Sequence, residues 1–321
     1  AHPALRAGLR AGLWRPGPGG AAPLIRRVAV RYLPWAPGQA VLLGLLGAVE
    51  GAAAVARAMA QASADRAVQL AGAQVLMQTY EEQLPLPAED EAAQPLALAA
   101  LAAAALRFAW DAELLQQACS ALAAGLEHGV GACADEALEP LLLRCAAAAL
   151  HGLLRAGAAS GVSPAAEALR LPLLREAARA TAAVLAEAPA LAPRLRQCGV
   201  ERALGGALVM EAAGLCGRRQ PEAEAAAGQV LLALWRLAGP RPVCQALQRW
   251  GAAEPGIARA AASVVVEVCR ERREPLRREA ALQAALHTAA TAHLKDRDVQ
   301  GSLQLALGFM LPANAGTCGG A

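Results

Sequence analysis

The chain has one lysine (Lys295), one asparagine (Asn314), two isoleucines (Ile25 and Ile257) and only 3% aromatic residues in 321. Strand formers are therefore scarce, which excludes an ordinary β-rich core. Residues with AT-rich codons are depleted together while Ala, Gly, Arg and Pro abound. A GC-rich coding sequence accounts for that pattern, so the shortage of aromatics says little about binding. Charge of one sign is also lacking: the net value is +3, too balanced for a general nucleic-acid binder. No phosphate-binding loop, GxSxG or HExxH occurs, and no cofactor is implied.

Hydrophobic residues make up 56% of the chain, and without aromatics it is alanine and leucine that must form the core. Both are strong helix formers, so the expectation is an all-α protein. The mean hydropathy of +0.33 raises the question of a membrane. The most apolar windows, residues 41–59 and 95–110, carry Glu50 and Arg57, and Arg107, respectively. A spanning helix needs about 20 apolar residues without such interruptions, so buried helices are expected instead and no membrane span is assigned.

Eight cysteines stand apart from one another, with no CxxC pair. A secreted disulfide scaffold is denser in cysteine, and a zinc site needs closely spaced ligand pairs. The expectation is small buried residues in a reducing, cytoplasmic setting. Residues 1–49 differ from the rest: arginines at 6, 10, 15, 26, 27 and 31, no acid before Glu50, and the breakers "RPGPGG" and "LPWAPG". This segment reads as a basic arm or linker, with organelle targeting as the alternative, although the first serine is Ser63 and transit peptides are usually rich in serine. The absence of an initial methionine is consistent with a piece of a longer polypeptide. Residues 312–321 read as a flexible tail.

Between these segments a unit recurs. "DRAVQLAGAQVLMQ" (Asp65 to Gln78), "DAELLQQACSALAAGL" (Asp111 to Leu126) and "DRDVQGSLQLALGFM" (Asp296 to Met310) each begin with an acid. Each then has an aliphatic residue (Val68, Leu115, Val299) followed by glutamine (Gln69, Gln116, Gln300), and a small residue three positions past the aliphatic (Ala71, Ala118, Ser302). An acid in the first turn suits the positive end of the helix dipole. Aliphatic and small positions at helical spacing form one stripe, and the small residue lets a neighbouring helix approach. Looser copies occur in "EPLLLRCAAAALHGLL", "LPLLREAARATAAVLAEAP" and "QPEAEAAAGQVLLALWRLAG", and Pro or Gly ends most of them. Short breaks of this kind predict helical hairpins.

From about Ala60 to Leu311 this pattern resembles the armadillo and HEAT repeat families. "RQCGVERALGGAL" and "LQRWGAAEPGIARAA" are similar to the glycine corner of armadillo repeats, at Gly199 and Gly251, although their separation exceeds the roughly 40–47 residues of the family unit. The resemblance implies an α-solenoid of stacked helical hairpins over residues 50–311, in about five or six degenerate units. It further implies a non-catalytic scaffold or adaptor that binds protein partners. The asparagine ladder by which importin- and catenin-type members hold extended peptides is missing, since Asn314 stands alone in the tail. A broader protein surface is therefore the expected mode of contact.

The alternative is a compact all-α enzyme with a cysteine nucleophile drawn from Cys119, Cys133 and Cys145 beside His128 or His151. Cys119 follows the small position of the repeat, which favours packing. His287 and His293 with Asp296 and Asp298 are a weak metal possibility, and no metal site is assigned. Partner-contact candidates are Arg270, Arg272, Arg273, Arg277 and Arg278 in "RERREPLRRE", together with Trp235 and Trp250. The arginines would meet an acidic partner, against the alternative of an ordinary solvated helix end. The tryptophans either fill gaps between helices or, exposed together, anchor an interface.

Overall fold

A computed structural model describes residues 39–82, 88–128, 135–158, 164–215, 221–271 and 279–310 of the chain. Among these residues every regular element is helical. The chain divides into two compact units, Ala1–Leu191 and Ala192–Ala321.

Unit 1 contains α1 (Gln39–Gln61), α2 (Arg66–Glu82), α3 (Ala88–Arg107), α4 (Ala112–Glu127), α5 (Asp135–Ala158) and α6 (Pro164–Glu187), followed by a 3-10 turn at Pro189–Leu191. Consecutive helices pair as hairpins, α1 with α2, α3 with α4 and α5 with α6. Alternate helices also touch, so α1, α3 and α5 form one layer and α2, α4 and α6 the other. Helix α4 lies between α2 and α6 and is buried along nearly its whole length, from Leu114 to Leu126 with few breaks.

Unit 2 contains the short α7 (Ala192–Gln197), α8 (Val200–Leu215), α9 (Pro221–Ala238), α10 (Arg241–Ala246) running into a π turn at Leu247–Gly251, α11 (Pro255–Glu271), α12 (Ala280–Ala292) and α13 (Arg297–Met310). Helices α9, α11 and α13 form a row in which α11 is the middle member; α10, its π turn and α12 pack beside one another against that row.

The recurrent acid explains why helices begin where they do. Asp65 accepts from the backbone N–H groups of Ala67 and Val68, Asp111 from that of Leu114, and Asp296 from those of Asp298 and Val299. Each thereby satisfies donors that the first turn of a helix leaves unpaired. The turns ahead of these caps have one hydrogen-bond pattern. Backbone bonds run from Ala62 to Ala58 and Asp65 to Ala62, from Phe108 to Ala104 and Asp111 to Phe108, and from His293 to Ala289 and Asp296 to His293. The glutamine of the repeat closes the joint in two copies. Gln69 Nε2 donates to the carbonyls of Met59 (2.7 Å) and Ala62 (3.0 Å), and Gln300 Nε2 donates to that of Ala290. These carbonyls belong to the end of the preceding helix, so the glutamine locks the angle of each hairpin.

The core is alanine and leucine, as expected, with Tyr80 the largest fully buried side chain. Gly125 makes room for it, since a Cβ there would lie 3.0 Å from both Tyr80 and Leu98. The first helix begins at Gln39, inside the segment 1–49 that the sequence assigns to an arm, and bends at Gly51, whose φ of 75° suits glycine alone. The two glycine corners differ. Gly199 turns the chain between α7 and α8 in the left-handed region, at φ 85°, while Gly251 ends the π turn and packs against Leu247 and Ala289. Among the described residues no helix is long and apolar enough to cross a membrane.

Candidate functional site

The buried stripes are committed to packing, so a site must come from the faces they leave over. Helix α11 buries Ile257, Ala261, Val264, Val265 and Val268, and α13 buries Val299, Leu303, Ala306, Leu307 and Met310. The helical period then places Ser263, Val266, Glu267 and Arg270 on one neighbouring face of α11, and Ser302, Leu305 and Phe309 on one face of α13. Where these faces meet lies a groove of about 430 Å³ lined by Ser263, Val266, Glu267, Arg270, Ser302 and Leu305. Two serines line it, Ser263 exposed and Ser302 half-buried. Ser302 holds the small position of the repeat, where Ala71 and Ala118 are buried, yet it is only half-buried. Its hydroxyl donates to the Asp298 carbonyl at 3.0 Å, within its own helix.

The rim is amphipathic. Leu305 is 51% exposed and Phe309 38%, and the Arg270 guanidinium stands 5.9 Å from the centre of the Phe309 ring, within reach of a cation–π attraction. Glu267 forms an ion pair with Arg236 of α9 at 3.7 Å. Among the described residues no carboxylate pairs with Arg270.

Of the residues singled out from sequence, Arg270 is therefore exposed and lines the groove. Arg272, Arg273, Arg277 and Arg278 lie outside the described residues. Trp235 is buried in α9, filling space between helices, and Trp250 is half-buried in the π turn with the Arg249 guanidinium 4.9 Å from its ring centre. The two do not form a jointly exposed pair. The sequence does not single out Ser263, Val266, Glu267, Ser302, Leu305 and Phe309 as site residues. Their signal was present in principle as apolar residues lying off the buried stripe of α13, but only the facing of α11 and α13 gives it meaning.

Two cysteines of the enzyme alternative, Cys119 and Cys145, are buried in unit 1. Burial pushes the Cys119 thiol up to about 12, with the charge of Glu176 and then Cys145 adding to the effect; burial also pushes Cys145 up to about 12. A thiol at such a value holds its proton at neutral pH, the opposite of an activated nucleophile. Cys133 lies outside the described residues. The His128 ring has Nε2 2.7 Å from the Tyr80 carbonyl, and His293 has Nε2 2.8 Å from that of Gly251. A carbonyl only accepts, so both rings carry the proton on Nε2 and act as braces between elements. Among the described residues no group of His, Cys, Asp and Glu is arranged to hold a metal ion.

No protein-family model matches the chain, and no curated protein matches it. Among solved structures, a crystal structure described as that of an engineered protein, a Northeast Structural Genomics Consortium target, aligns with 90% of this chain and 88% of its own at 16% identity. The TM-score of 0.41 is too low to decide the repeat type.

Proposed function

We propose that the chain is a non-catalytic scaffold or adaptor of the cytoplasm that binds protein partners through an armadillo/HEAT-like array of helical hairpins. The observation that carries this reading is the α11–α13 groove, where Leu305 and Phe309 remain exposed beside Arg270, which pairs with no carboxylate among the described residues. Exposed apolar side chains grouped in one place have an energetic cost that partner contact relieves. The repeat reading is supported by the three turns that share one hydrogen-bond pattern.

The test is site-specific photo-cross-linking of the full chain in a cell extract. A benzophenone side chain at Leu305 is expected to yield a discrete cross-linked protein that the same group at Leu154, an exposed leucine of α5, does not. The same products from both positions, or none from Leu305, would overturn the reading.

A further inference from the structure

We propose that the α11–α13 groove takes an acidic amphipathic segment of a partner protein, with a carboxylate placed at Arg270 and a bulky apolar side chain among Val266, Leu305 and Phe309. The inference rests on the docking function proposed above and deepens it by naming the partner's chemistry.

Charge decides the sign. Among the described residues the groove is lined by one acid and one base, but they are not equivalent. Glu267 is already engaged by Arg236 at 3.7 Å, and Arg236 keeps only 15% of its side chain exposed, so that pair belongs to the wall between α9 and α11. Arg270 instead stands with its guanidinium 5.9 Å from the centre of the Phe309 ring, and among the described residues no carboxylate takes its N–H donors. Planar donors beside an aromatic face suit a carboxylate approaching in the plane of the guanidinium. A basic segment would bring a second cation to the same rim and lose the interaction.

Size and polarity decide the remainder. A volume of about 430 Å³ has room for a large apolar side chain. Of the two serines that line it, Ser302 spends its hydroxyl on its own helix, which leaves fewer groups to converge on a polar ligand. Leu305 and Phe309 occupy successive turns of α13, the spacing at which an amphipathic segment places its own apolar side chains.

The test selects binders without presupposing their sequence. A phage library displaying random 16-residue peptides is panned against the immobilised full chain, and individual peptides are measured by fluorescence anisotropy. The expected pool is enriched in Asp or Glu close to Leu or Phe. Its members should lose at least tenfold in affinity to Leu305→Asp and to Arg270→Glu, and Arg270→Glu should bind lysine-for-glutamate versions of the peptides better than the unaltered chain does. Both positions are exposed, and the charge-swapped pair gives a gain of binding that misfolding cannot produce. A pool sensitive to Leu305→Asp but without acidic enrichment, or indifferent to Arg270→Glu, overturns the acidic chemistry and leaves the docking reading standing. A pool indifferent to Leu305→Asp, or no pool at all, overturns both.

Discussion

Asp111 shows how a single side chain serves two helices. Its carboxylate caps α4 through the Leu114 N–H at 3.1 Å and also accepts from the Arg66 guanidinium, which reaches across from the start of α2 and bonds Glu113 at 2.7 Å as well. Burial alone would raise the Asp111 carboxyl, but the Arg66 hydrogen bond, the backbone N–H groups and the Arg66 charge outweigh it and hold the group below its ordinary value. Asp111→Ala removes cap and ion pair together and is expected to cost about 1–2 kcal/mol in urea unfolding. Asp111→Asn keeps a good cap and should cost less, so the difference between the two variants reports the cap. The sign of the pH effect follows from the lowered value. Stability from the charged form is present above the unfolded carboxyl value and is lost as pH falls through the folded one. The gap between the unaltered chain and Asp111→Asn should therefore narrow below about pH 4; a gap that widens there would show that the carboxylate is not stabilising.

At the scale of elements, joints and close approaches decide the packing. Gln69 is buried with its amide nitrogen on two helix-terminal carbonyls, so Gln69→Leu leaves those acceptors in the interior. A loss of about 1–3 kcal/mol is expected, larger than that from the same change at the half-buried Gln74 of α2. Glycines in α5 offer a paired test. A Cβ at Gly152 would sit 2.8 Å from the Ala177 Cβ of α6 and 3.3 Å from the Cys119 sulfur, whereas one at Gly157 meets nothing within 4 Å. Gly152→Ala should destabilise by about 1–3 kcal/mol because α5 and α6 must separate. Gly157→Ala should stabilise by up to about 1 kcal/mol through helix propensity alone. Thermal unfolding of the two variants checks both signs. The prolines show where local rules are overridden: Pro95 and Pro172 lie inside α3 and α6. Each removes a helical hydrogen bond, and the tertiary packing of buried neighbours such as Ala97, Leu98, Leu173 and Leu174 compensates.

Over the whole molecule the cysteines report how completely the helical layers exclude solvent. Among the described residues Cys198 is exposed, and Cys119, Cys145, Cys244 and Cys269 are buried. Burial raises all four buried thiols, those of Cys119 and Cys145 to about 12. Native labelling with a thiol reagent at pH 7.5, read by mass spectrometry of each site, should modify Cys198 quickly and the four buried sites only in denaturant. Fast native labelling of Cys119 or Cys145 would revive a reactive-cysteine enzyme in place of a scaffold.

Composition, period and capping acids by themselves determined that the chain is helical, which stripes are buried and where α2, α4 and α13 begin, because these features follow from interactions within a few residues of one another. The repeat of acid, aliphatic, glutamine and small residue was legible for the same reason. Arg270 was legible as a candidate contact, but its companions were not. Only the tertiary structure placed Trp235 in the core, left Ser302 half-exposed where Ala71 and Ala118 are covered, and brought Leu305 and Phe309 beside the α11 face. The physical reason is that helical spacing sets which residues share a face, whereas which face meets another helix depends on how distant segments pack, and that packing is not written in any one of them.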